Sequence, residues 1–80
     1  MKRLKIFKKL RKLINDNYSV EKEKITMSLK IKEDLNFDSL ERLEMLHFVE
    51  KQFNIYIQER ELIKLRTVRD IVTIIKNKSE

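Results

Sequence analysis

Across its 80 residues the chain contains neither glycine nor proline. Those two residues most often punctuate secondary structure, so every turn here has to be made by Asn, Asp, Ser or Thr. Candidate helix ends are then few. Asn15-Asp16-Asn17 and Asn54 can stop a helix, and Asp38 and Thr67 can cap the start of one.

The apolar pattern between these marks is helical. Leu4, Phe7, Leu10, Leu13 and Ile14 recur at spacings of three and four and predict a first helix over 3–15. Asp38, with Glu41 three residues on, makes the acidic version of a capping box, and a helix over 39–53 follows it. Its inner stripe is read as Leu43, Leu46, Val49 and Phe53. Ile55-Tyr56-Ile57 has no partner strand and is read as a loop leading to a short third helix near 59–65. Thr67 caps a last helix over 68–77, with Val68, Ile71, Val72, Ile74 and Ile75 facing inward. Residues 18–37 form a connection unusually long for a compact domain. Its Ile25, Leu29, Ile31, Leu35 and Phe37 are expected to be pinned to the core, with a short turn around 33–35. The fold class expected is all-α. One domain over 1–80 forms a small four-helix bundle, with a long loop between its first two helices and a short third helix.

A chain of this length supports one small core, and without Cys no disulfide helps to hold it. Cys-based metal sites are excluded, and a single His argues against a catalytic metal centre. A reducing cytoplasm suits such a chain, and a monomer is expected. No apolar run nears the roughly 20 residues that a membrane span needs. Cations scattered through 2–12 interrupt any signal-peptide core. The formal charge of +6 first suggests nucleic acid or an anionic membrane. Its distribution redirects that reading, because residues 1–14 carry +7 while residues 33–50 carry −5. The first helix holds the whole excess. No aromatic platform or recognition helix accompanies it, so nucleic acid is not an expected partner. Its apolar face is needed for the core, which leaves little to insert into lipid.

The acidic stretch holds the most telling residues, Phe37-Asp38-Ser39-Leu40-Glu41. Ser39 stands at a helix start, exposed on a rigid element, where first-turn N–H groups favour an anion. No base or metal partner is in view to make it a nucleophile in its own right. A hydroxyl displayed in this way suits modification by another enzyme. Taken alone, Asp-Ser-Leu is more often a plain helix cap.

The surrounding residues add to that motif. From Ile25 to Ile75 the chain resembles the acyl carrier proteins. Asp38-Ser39-Leu40-Glu41 matches the family's phosphopantetheine attachment motif, and Glu33-Asp34-Leu35 precedes it at the family spacing. Glu44, Phe53, Ile57 and Thr67-Val68 match downstream positions without a gap. The chain departs from the family pattern at Asn36, where Gly is usual, and at Gln58, where Pro is common. Its first helix is basic, and Arg42, His47 and Lys51 thin the acidic face of the second.

The resemblance implies a four-helix bundle of acyl-carrier type. It also implies a carrier of acyl groups as thioesters on 4′-phosphopantetheine attached to Ser39, in fatty-acid or related biosynthesis. The chain would not itself be an enzyme. A phosphopantetheinyl transferase would load it, helped by Asp38, and acyl-transferring or condensing enzymes would use it. Leu40, Glu41, Glu44 and His47 would meet those partners. Leu43, Leu46, Ile57, Leu62, Leu65 and Ile71 could line a cavity for the acyl chain, though each serves equally well as core. Two alternatives stay open. One is a specialised carrier in a polyketide, aminoacyl or lipid-tailoring pathway. The other is a non-carrier module that docks an anionic partner through its basic first helix.

Overall fold

The computed structural model describes residues 1–79. Among these the chain forms α1 (Arg3–Tyr18), α2 (Ile31–Leu35), α3 (Ser39–Phe53), α4 (Glu59–Leu62) and α5 (Val68–Ser79), with a 3-10 turn at Lys22–Lys24. Three helices end in left-handed backbone. Ser19, Asn36 and Asn54, which follow α1, α2 and α3, have φ of 56°, 55° and 53°. Without glycine, these positions fall to residues with short polar side chains. Asn54 ends α3 as its sequence position suggested.

The expected stop at Asn15-Asp16-Asn17 is instead absorbed into α1. Asn17 Nδ2 donates to the carbonyl of Leu13 at 2.8 Å, and Asn15 Nδ2 donates to that of Val20 at 2.7 Å. These side chains satisfy backbone acceptors at the end of the helix and just beyond it, so the helix continues to Tyr18. Ser19 then closes it by donating its N–H to the carbonyl of Asn15 at 3.1 Å.

The long connection between the first two predicted helices is more ordered than a loop. It contains the 3-10 turn and α2, and Ile25, Leu29, Ile31 and Phe37 are buried with Leu35 packed against them. Backbone bonds from Ile31 N to Arg66 O (2.9 Å) and from Val68 N to Leu29 O (3.0 Å) stitch this segment to the start of α5. They surround an isolated antiparallel bridge between Lys30 and Thr67.

Two apolar stripes lie rotated from their expected register. In α1 the buried residues are Ile6, Leu10, Leu13 and Ile14, and Leu4 is 64% exposed. In α3 they are Met45, Leu46 and Val49, and Leu43 is 42% exposed. The α3 stripe runs 42, 45, 46, 49 and 53, which is good helical spacing. Its first member is Arg42, a cation whose position masked the pattern. Toward the C-terminus, α4 is shorter than expected and stops at Leu62. Thr67 does cap α5, its Oγ1 accepting the N–H of Asp70 at 3.2 Å. Asp70 Oδ2 in turn accepts the N–H groups of Arg66 and Thr67 at 3.0 and 3.1 Å. Burial works against the Asp70 carboxylate, but these hydrogen bonds outweigh it and hold its pKa below the usual value. The core is one cluster drawn from all parts of the described chain except the 3-10 turn and α4.

Candidate functional site

Ser39 is the first residue of α3, and its neighbours fix how it is presented. Asp38 precedes it in extended backbone, with φ −80° and ψ 178°. Asp38 Oδ1 accepts the N–H of Glu41 at 2.8 Å, and Glu41 Oε1 accepts the N–H of Asp38 at 3.2 Å. Both halves of the expected capping box are therefore present. The carbonyl of Asp38 also takes the N–H of Arg42 at 3.0 Å. Upstream, buried Phe37 and left-handed Asn36 determine the path by which the chain enters α3. Ser39, Asp38, Leu40 and Glu41 are all exposed.

The cap makes no use of the Ser39 hydroxyl, so Oγ is available on a fixed helix start. Ser39 and Leu40 occupy the first two helical positions, where N–H groups have no intrahelical acceptor. An exposed hydroxyl beside such donors fits a covalently attached phosphodiester. The carboxylates of Asp38 and Glu41 are committed to backbone donors and would repel a phosphate rather than bind it.

Farther along α3 the exposed Glu44 has a second role. Its Oε1 accepts the Tyr18 hydroxyl at 3.0 Å, which ties α3 to the end of α1. The Tyr18 ring lies 4.8 Å from that of Phe37 and 6.4 Å from that of Phe48, centroid to centroid. Burial, and then the Glu44 carboxylate, push the phenol pKa well above its usual value. His47 is exposed, and Leu40 is 75% exposed. The predicted docking residues thus share the exposed part of α3.

The six residues expected to line a cavity divide. Leu46, Ile57, Leu65 and Ile71 are buried in one cluster, and Leu62 packs half-buried against it. Leu43 stands outside, because the rotated register gives its inward place to Met45. A cleft of about 510 Å³ lies where α2, α3 and the segment before α5 meet, and none of these six residues lines it.

Arg42 was not among the expected site residues. Half-buried on the inner stripe, its Nη2 donates to the carbonyl of Leu65 at 2.8 Å and to that of Leu62, fastening α3 to the end of α4. Its spacing from Met45, Leu46 and Val49 is the signal that marks it. Among the described residues there is no cluster of three or more side chains suited to hold a metal ion. None of the described helices is long and apolar enough to cross a membrane.

Comparisons with known proteins agree with this geometry. A family described as "Phosphopantetheine attachment site" matches residues 8–75. An acyl carrier protein of Coprothermobacter proteolyticus is 38% identical over 77 residues, covering 96% of this chain and 94% of the relative. One from Aster yellows witches'-broom phytoplasma is 43% identical over 75 residues, covering 92% and 99%. Among solved structures, the acyl carrier protein of Enterococcus faecalis superposes with a TM-score of 0.82 at 32% identity, covering 99% of this chain and all of that one. The exposed serine on a capped helix start and the match over most of the chain lead to one assignment: the chain belongs to the acyl carrier protein family, the phosphopantetheine-bearing carriers of acyl groups.

Proposed function

We propose that Ser39 is the residue that carries the phosphopantetheine arm, and that the chain serves fatty-acid biosynthesis in the cytoplasm. The observation that carries this is the exposed Ser39 hydroxyl at the start of α3, outside the capping box that fixes the turn around it. In the loading step the Ser39 Oγ–P bond forms and the phosphoanhydride of coenzyme A breaks. The hydroxyl proton is lost, and adenosine 3′,5′-bisphosphate leaves. A separate phosphopantetheinyl transferase supplies the catalytic groups, and Asp38 helps it engage the site. Once attached, the arm offers a terminal thiol that holds an acyl group as a thioester.

The chain's own residues then act as substrate and recognition surface, with no reaction of their own. Leu40, Glu41, Glu44 and His47 meet the transferase and the acyl-transferring or condensing enzymes. Charge complementarity at such a face mainly sets encounter rate and orientation. The core around Leu46, Ile57, Leu65 and Ile71, with Leu62 at its edge, would shelter the acyl chain by opening between α3 and the later helices. Leu43 would then stand at the mouth.

Intact mass after incubation with coenzyme A and a broad-specificity transferase tests the assignment. The wild-type chain should gain one phosphopantetheine, and Ser39→Ala should gain none. Ser39→Ala should keep its fold, since the cap rests on Asp38 and Glu41. A folded wild-type chain that stays unmodified would overturn the attachment.

A further inference from the structure

Spacing alone placed Leu4 inside and left α1 little to offer a lipid surface. The observed register reverses that. Ile6 takes the inward place, and Leu4 stands 64% exposed among cations. Residues 1–14 carry +7 with no acid. We propose that the outer face of α1 docks the chain on an anionic lipid bilayer, with Leu4 entering the headgroup layer and the lysines around it set against lipid phosphates. The inference is independent of the arm on Ser39.

Three observations carry it. The first is the make-up of the face. Lys5, Lys8 and Lys12 follow one another at spacings of three and four, on the side of α1 away from Ile6, Leu10 and Leu13. Leu4 borders that row, next to half-buried Phe7. An apolar residue ringed by lysines is the arrangement of a helix that lies in a bilayer interface.

The second is which cations are spare. Arg3 Nη1 donates to Thr73 Oγ1 at 3.0 Å, Arg11 lies 5.2 Å from the centre of the Phe7 ring, and Lys12 pairs with Asp16. Among the described residues, Lys2, Lys5, Lys8 and Lys9 are exposed and have no carboxylate partner. The fold thus uses both arginines and leaves lysines outside. Lysine is a flexible point charge without the planar fork that fits one fixed carboxylate. That favours a surface of laterally mobile phosphates over an acidic protein. The fold also gains nothing from Lys2 and Lys5 where they stand. They crowd the positive end of α1, which has no side-chain cap and no acid in its first turn. An anionic surface relieves that repulsion.

The third is where the face points. The opposite side of α1 packs against α5 and α3. Tyr18, at the far end of α1, meets Glu44 and Phe37 beside the site turn. Leu4 lies about 21 Å from Tyr18 along the helix axis. A chain docked through Leu4 and the lysines keeps Ser39 open to enzymes.

Vesicles of equal parts phosphatidylglycerol and phosphatidylcholine, with pure phosphatidylcholine as the neutral control, test this on the unloaded chain. Wild type should co-sediment with the anionic vesicles at low salt, stay behind with the neutral ones, and be released by added salt. Each cation near such a surface multiplies partitioning by about fivefold, so Lys5→Glu with Lys8→Glu should weaken binding by more than about tenfold. Both side chains are exposed, and an acid at position 5 suits the helix start, so this variant should fold. The chain has no tryptophan, which makes Leu4→Trp a single reporter. Its emission should shift to the blue with anionic vesicles, whereas that of Leu40→Trp, beside Ser39, should not move. Wild type that ignores anionic vesicles at low salt overturns the inference, and that is the outcome expected if the face serves an acidic protein. Equal binding to neutral vesicles, binding untouched by the lysine reversals, or a Leu4→Trp emission that stays unshifted on bound protein would each overturn it as well. Should the double lysine variant fail to fold, the salt release and the two tryptophan reporters decide the matter. Phosphopantetheine loading at Ser39 is measured separately by mass, so either proposal can fail without the other.

Discussion

Helices α1 and α3 are nearly equal in length, but they are held in opposite ways. At its start α3 has a reciprocal cap with acids at Asp38 and Glu41, and it has Lys51 in its last turn. Its charges follow the helix dipole. Lys2 stands at the N-cap of α1 without a side-chain cap, the first turn has no acid, and the last turn has no cation. Arg3 and Lys5 crowd its positive end, and Asp16 lies near its negative end. Lys12 and Asp16 do form an i,i+4 pair at 2.7 Å, but both are exposed and such pairs contribute little. Local electrostatics therefore set where α3 begins, while α1 is held by what it buries: Ile6, Leu10, Leu13 and Ile14, packed chiefly against α5 and α3.

The largest expected effect follows from that contrast. Ile14 is fully buried, so Ile14→Ala removes three heavy atoms from a filled core and should cost about 2–5 kcal/mol. For a chain of this size that is a large fraction of the total stability. Denaturant unfolding followed by circular dichroism should show a lower midpoint, with the loss of α1 and α5 together. If α1 melts while α5 stays folded, burial is not what couples them.

A matched pair of cap variants tests the other half of the contrast. Asp38→Ala removes the acceptor for the Glu41 N–H and should destabilise the protein by about 1 kcal/mol. Lys2→Asp should do the reverse. Lys2 already has extended N-cap backbone, at φ −77° and ψ 152°, so an Asp there can cap α1 and also match its dipole. A gain somewhat under about 1 kcal/mol is expected, again from unfolding midpoints. Equal responses of the two helices to these changes would break the comparison.

The same contrast explains what was legible in the sequence. The start of α3 was readable because its signals are local: Asp38 and Glu41 bond across three residues, and Ser39 between them stands where the pattern put it. Thr67 and Asp70 were readable for the same reason. The faces of the helices were less so. Leu4 and Leu43 have the right spacing to be inside, but Ile6 and Met45 take those places, because register depends on the partner helices. Arg42 joined an inner stripe through bonds to carbonyls twenty and more residues away, which spacing alone cannot announce. Ser19 ended α1 because Asn15 and Asn17 turned their side chains to backbone acceptors and left the left-handed position to the next residue free to take it.

The smallest effect is expected where the two helices meet. The Tyr18 hydroxyl donates to Glu44 at 3.0 Å, and its ring packs on Phe37, directly before the site turn. Tyr18→Phe keeps the ring and removes the hydrogen bond. Glu44 is exposed and regains water, so the loss near neutral pH should be at the low end for such bonds, about 0.5 kcal/mol. The pH dependence is more telling. Burial and the Glu44 carboxylate raise the phenol pKa in the folded state above its value of about 10 in the unfolded chain. The folded protein therefore favours the protonated phenol. That contribution is fully present below about pH 10, and it declines as the pH rises from there toward the folded pKa. Wild type should thus lose stability in strong base faster than Tyr18→Phe, and the difference between them should shrink with each step in pH. Parallel decline of the two proteins would mean that the phenol does not join α1 to α3 in solution. In that case Glu44 would be as available to a partner as Glu41.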